Sequence, residues 1–235
     1  MNHFTNSALL SAAFSLVTAV LVLFKNAAQA NRILSLYWVS ISFWAFWVGS
    51  QASTIEMVSP FWWGWLLHLG CIFIPALLFH STLILTKQKS SQLFQVMKIA
   101  YGIGILFNLL NLFTLAFTNG IVYRDTYAYP KPSLIYPLYF VFFVVLVIWS
   151  TLLLIGYLPK VPDSKKMVFK LFLITQTLAY CGGMDNFLIM ADIRIPPLYP
   201  FGLYVIPLYA VVTVYAICFA SIGELVLEIK NTRIC

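Results

Sequence analysis

Charge is nearly missing from this sequence: Asp, Glu, Lys and Arg make up 9% of its 235 residues, against roughly a quarter in soluble domains. That shortage excludes an ordinary water-surrounded globule. The 62% hydrophobic content gathers into apolar runs of about twenty residues, the length a bilayer-spanning helix needs. These runs are continuous rather than alternating, which argues against a membrane β-barrel. Acidic residues are scarcer still, seven in all, and Asp185 is the only one clearly inside an apolar run. The paired carboxylates or acid relay expected of many proton-coupled carriers are therefore missing. No lysine occupies the middle of the last run, which removes a buried Schiff base. The four cysteines form no CxxC pattern, and Cys71, Cys181 and Cys218 fall inside apolar runs, with Cys235 in the tail. No external disulfide and no structural metal is expected. Hydrolase, zinc-peptidase, P-loop and dinucleotide-binding motifs are also absent. The chain reads as a non-enzyme, with no catalytic residue, metal or cofactor. No internal repeat of the kind common in transporters stands out.

What remains is an all-α, polytopic bundle of seven transmembrane helices. The runs predict helices over about Ser7–Phe24, Ile33–Ser50, Phe61–Leu85, Met97–Phe117, Leu134–Tyr157, Val168–Ile189 and Phe201–Ile222. They divide the chain into a membrane domain, 1–222, and a short tail, 223–235. Eleven basic residues fall on one side: Lys25, Arg32, Lys87, Lys89, Lys98, Lys160, Lys165, Lys166, Lys170, Lys230 and Arg233. The other side holds three, Arg124, Lys131 and Arg194. The positive-inside rule then puts the N-terminus outside and the C-terminus in the cytoplasm. The first run has no Lys or Arg ahead of it, so it reads as a retained helix rather than a cleaved signal. The net charge of +7 resides in these short loops, which argues against nucleic acid as a partner. The expected setting is a cell membrane, multi-pass, of the bacterial inner-membrane kind, with the lipid bilayer as the first partner.

Orientation gives each polar residue inside a run a depth. His68, Asn108, Asn111, Asp185, Asn186 and Tyr204 all fall in the outer half, as do Tyr136 and Tyr139. Two readings stay open. These groups either make interhelical hydrogen bonds, each worth about 0.6 kcal/mol and at most about 2, or line a cavity that binds a small ligand, since ionisable residues inside a membrane often mark functional sites. Gly182 and Gly183 permit close helix approach in either case. His80 stands apart on the cytoplasmic half, about 18 Å along a helix from His68, too far to share a metal ion. Trp44, Trp47 and the run PFWWGW fit an aromatic belt at the outer interface, with an aromatic ligand cage as the alternative. Pro75, Pro137 and Pro207 are expected inside spans, where proline usually bends a helix.

Three stretches, ANRILSLYWVSISFWAF, LHLGCIFIPALLFHSTLIL and IPPLYPFGLYVIPLYAVVTVYAICF, together resemble the N-terminal seven-transmembrane sensor region of bacterial histidine kinases. The residues carrying the resemblance are Asn31, the Ile74-Pro75 pair, His80 and the Tyr215-Ala216 pair, with Pro207 in the last span. It covers nearly the whole chain. The resemblance implies an outer ligand pocket, a signal passed to a histidine kinase or other cytoplasmic output domain, and a homodimer. Such sensors continue past the last span into dimerisation and ATP-binding domains, whereas this chain ends about thirteen residues after it. The expectation is a sensor segment separated from its output domain, or a stand-alone module signalling through a partner. The alternative is a small transporter or permease subunit, with the same polar residues lining a passage. A membrane enzyme or assembly factor using His80 or Asp185 is a weaker third reading.

Overall fold

A computed structural model describes residues 3–25, 29–53, 60–124, 127–191, 193, 195 and 201–219. Its helices are α1 His3–Lys25, α2 Gln29–Ser53, α3 Pro60–Cys71, α4 Ile74–Leu85, α5 Ser91–Phe113, α6 Tyr136–Tyr157, α7 Asp163–Gly183, α8 Asp185–Met190 and α9 Val205–Val214. Two antiparallel strands, β1 Thr118–Arg124 and β2 Tyr127–Pro132, join α5 to α6. Six helical segments among the described residues are long and apolar enough to cross a membrane: 3–25, 29–51, 65–85, 91–113, 136–160 and 163–190. A shorter apolar segment runs from Gly202 to Cys218. The expected tail, 223–235, lies outside the described residues.

The helices close into a ring that includes the second half of the third apolar segment: α1, α2, α4, α6, α7 and α9, with α5 packed outside on α3 and α4. α1 packs on α2 and on α9, α9 on α7, and α7 on α6, while α4 touches α2, α5 and α6. The most apolar stretch of the α3–α4 segment is 83% buried, against 28–50% for the other five. It is the most enclosed segment, held between α2 and α6 and covered by α5, while its neighbours leave Leu16, Val17, Leu106 and Leu152 exposed on the perimeter. Apolar side chains on an outer face are what lipid, rather than water, would cover. One end of the bundle carries the hairpin. The other carries the lysine-rich turns.

Prolines mark where helices start rather than where they bend. Pro137 is the second residue of α6 and Pro207 the third of α9. Pro137 therefore costs its helix nothing, because first-turn N–H groups have no intrahelical partner to lose, whereas Pro207 stands inside the helical segment Gly202–Cys218, as expected. Pro75 does interrupt its segment: α3 stops at Cys71, and α4 begins at Ile74 with the proline in its first turn. In a continuous helix the N–H of residue 75 would reach the carbonyl of Cys71; proline has none, and its ring crowds that oxygen. Tyr139 of α6 supplies the missing donor, its hydroxyl lying 3.1 Å from Cys71 O. The same device recurs at Pro207, whose missing N–H would have met Leu203 O. There Ser11 Oγ of α1 lies 2.9 Å away, its one hydrogen shared with Ser7 O at 2.7 Å. Neighbouring hydroxyls thus satisfy carbonyls that membrane proline frees.

Two further boundaries differ from expectation. α5 begins at Ser91 rather than near Met97, because the Ser90 side chain caps it by accepting from Leu93 N at 3.4 Å. It ends at Phe113, with Thr114 extended, so Phe117 leaves the span and turns back into the core, fully buried. At the lysine end, α4 closes with Gln88 N on Leu83 O at 2.9 Å and Lys87 N on Ile84 O at 3.1 Å. That is a Schellman cap, with Lys87 in the left-handed region at φ 52°.

Candidate functional site: an aromatic cavity in the hairpin half

Between α2, the α3–α4 break, α6, α7–α8 and α9, the hairpin half of the bundle holds about 740 Å³ of empty space, counted to its open mouth. Helical spacing sets its walls. Tyr37, Ile41 and Trp44 lie at i, i+4 and i+7 on α2, and Tyr136, Tyr139 and Phe143 at i, i+3 and i+7 on α6. Residues so spaced share one face of a helix. Tyr180, Gly183 and Phe187 continue the same period across the junction of α7 and α8. Tyr129 and Pro130 of β2 complete the lining at the hairpin end.

Close backbone contact at that end holds α7 against the turn entering α9. A Cβ at Gly202 would stand 2.6 Å from Gly182 O, and one at Gly182 would strike Gly202 O. Only glycine fits either position. Gly183 behaves differently: it lines the cavity, and a Cβ there meets nothing within 4 Å.

The cavity floor is a buried polar group of side chains. Tyr37 and Tyr180 share a hydroxyl hydrogen bond of 2.9 Å, linking α2 to α7. Tyr209 of α9 donates to Gln176 Oε1 at 3.4 Å, and Gln176 Nε2 reaches Thr151 Oγ1 of α6 at 3.5 Å. Higher on the wall, Tyr136 donates to Met190 Sδ at 2.9 Å. Phe187 packs its ring 5.1 Å from Phe143 and 5.9 Å from Tyr139, centre to centre, within the range of favourable aromatic pairs. Asn186 also lines the cavity. Its Nδ2 donates to Gly183 O at 3.4 Å, and its Oδ1 is buried with no partner.

Of the polar residues expected in the outer half, the structure brings Tyr136, Tyr139 and Asn186 to the cavity. His68 is fully buried one side chain behind the wall, its ring 5.5 Å from that of Tyr136 and 5.2 Å from that of Phe117. Asn111 ties α5 to α3 by donating to Trp65 O at 3.1 Å, and Asn108 donates to Gly104 O of its own helix at 3.3 Å. Tyr204 is half-buried and stacks on Phe201. Asp185 opens α8, but its side chain lies outside the described residues. The resemblance residues disperse as well. Asn31 is buried in the first turn of α2. His80 Nδ1 meets Tyr101 OH at 3.1 Å in the lysine-end half. Tyr215 is exposed at the start of a π-helical turn, Tyr215–Phe219. Trp44, expected in the interfacial belt, lines the cavity instead.

Sequence reasoning passed over Tyr37, Tyr129, Tyr180 and Tyr209. The available signal was their hydroxyls: a tyrosine deep in an apolar run needs a polar partner as much as an asparagine does. No protein-family model matches this chain, and no curated protein matches it either. The sensor resemblance therefore rests on its three stretches alone.

Proposed function

We propose that the chain is a seven-span membrane sensor, N-terminus outside, whose hairpin-capped cavity binds a small ligand. Occupancy would bias the packing of the spans toward a cytoplasmic output partner of the histidine-kinase type. The observation that carries this reading is the cavity itself. Five apolar segments contribute side chains to one aromatic chamber, so anything bound there touches most of the bundle at once. A ligand shifts an equilibrium only by its difference in affinity between two arrangements, and a chamber walled by several helices can supply that difference. The basic turns at the opposite end and the apolar perimeter support a cell-membrane location with that end inside. The interrupted α3–α4 segment runs from the cavity wall at Cys71 and Ile74 to the lysine end, which suits it to carry the shift.

Filling the chamber tests the reading. Gly183→Leu starts a side chain on the cavity lining at a position where an added Cβ meets nothing within 4 Å, so the fold should persist while the space is lost. Fused to a cytoplasmic kinase and reporter, the wild-type chain should respond to a panel of amphipathic compounds. The Gly183→Leu chimaera should not. A panel that moves neither chimaera sinks the sensor, and saturable flux through proteoliposomes of this chain alone favours a transport passage.

A further inference from the structure

Resting on that reading of the cavity, we propose its ligand class: an uncharged, largely apolar molecule with one hydrogen-bond donor, an O–H or N–H that meets Asn186 Oδ1. The polar inventory of the wall leads there. Tyr136, Tyr139 and Tyr209 have committed their hydroxyl hydrogens to Met190 Sδ, Cys71 O and Gln176 Oε1. Tyr37 and Tyr180 bond to each other, which uses one of their two hydroxyl hydrogens. Asn186 is nine-tenths buried, and its amide orientation is fixed because Nδ2 faces the Gly183 carbonyl, where an oxygen would be repelled. That leaves Oδ1 of this lining residue as a buried acceptor with no donor among the described residues. Buried polar atoms nearly always have partners, so this one points to a bound group. Asn108 and Asn111 also carry buried Oδ1 atoms without partners, but neither lines the cavity. The rest of the described lining is aromatic, aliphatic or sulfur-bearing apart from the tyrosine hydroxyls, and no described lining residue is charged. Nothing described there offsets the desolvation of an ionic ligand.

The test uses the full chain in lipid nanodiscs, with empty nanodiscs as background and four probes of one shape. These are 2-naphthol, its methyl ether 2-methoxynaphthalene, 2-naphthoate, and 2-naphthylmethylammonium, near neutral pH. Saturable binding of 2-naphthol is expected, with the ether about tenfold weaker and both ions weaker than the naphthol. Asn186→Leu should bring naphthol and ether to equal affinity while leaving the ether's own affinity unchanged, which also certifies that the variant is folded. Gly183→Leu should remove saturable binding of both. Several results would overturn the ligand class: no saturable naphthol binding, equal naphthol and ether affinities in the wild type (as expected if an ordered water already satisfies Oδ1), discrimination that survives Asn186→Leu, or tighter binding of an ion. The sensor reading falls separately. A kinase chimaera that answers to donor-free compounds, and loses the answer with Gly183→Leu, would keep the sensor and discard the donor requirement.

Discussion

Tyr139 shows how one side chain joins fold and site in this protein. Its ring is fully buried against Phe107, Phe117, Phe143 and Phe187, and its hydroxyl mends the carbonyl that Pro75 leaves without a helical donor. Tyr139→Phe keeps the ring and removes the donor, so the expected loss is about 1 kcal/mol, the usual scale for such bonds in membranes. The partner experiment separates this cause from general damage. Pro75→Ala restores an N–H that can reach Cys71 O, and in that background Tyr139→Phe should cost nearly nothing. Unfolding of the four variants in detergent, followed by circular dichroism, gives the coupling. Equal losses in both backgrounds would show that the hydroxyl does not serve the broken helix. From sequence, Pro75 was legible as an interruption, but its compensating donor was not. That donor comes from another helix, 68 residues on, and no local pattern encodes it.

Among the elements, the junction of α7 with the turn entering α9 is the tightest, and it can be tested by adding single methyl groups. Gly182→Ala and Gly202→Ala each place a Cβ against backbone, which cannot swing aside as a flexible side chain can. Overpacking of this kind costs about 1–3 kcal/mol. Gly183→Ala, one residue along, meets open space and should be neutral or stabilising by up to about 1 kcal/mol from helix propensity. Thermal midpoints in one detergent would rank the three variants, and a Gly183→Ala loss as large as the other two would contradict the packing. The elements themselves were largely readable, since an apolar run long enough to span a bilayer identifies itself. The hairpin was not. Pro130 and Pro132 lie within β2, and proline ordinarily argues against a strand. Here Pro130 pairs opposite Ile121 at the edge of a two-stranded ribbon, a place that tolerates it.

At the scale of the whole molecule, depth was legible and direction around each helix was not. His68, Asn108, Asn111 and Asn186 were all placed toward the same end of the bundle, yet only Asn186 faces the cavity. Which way a helix turns its polar residues depends on which neighbours it packs against, and here that is set by the ring of α1, α2, α4, α6, α7 and α9, with α5 outside it. The proposed orientation depends on charge alone and can be tested independently of the cavity. Lys131 is exposed on the hairpin, and Lys165 lies in the first turn of α7 at the opposite end. With the four native cysteines replaced by serine, Lys131→Cys in intact cells should react with a membrane-impermeant maleimide. Lys165→Cys should react only after the membrane is opened. Each replacement removes a single positive charge, and the basic excess on the lysine side remains either way. The reverse labelling pattern would place the hairpin and the mouth of the cavity inside the cell, and with them the source of any ligand.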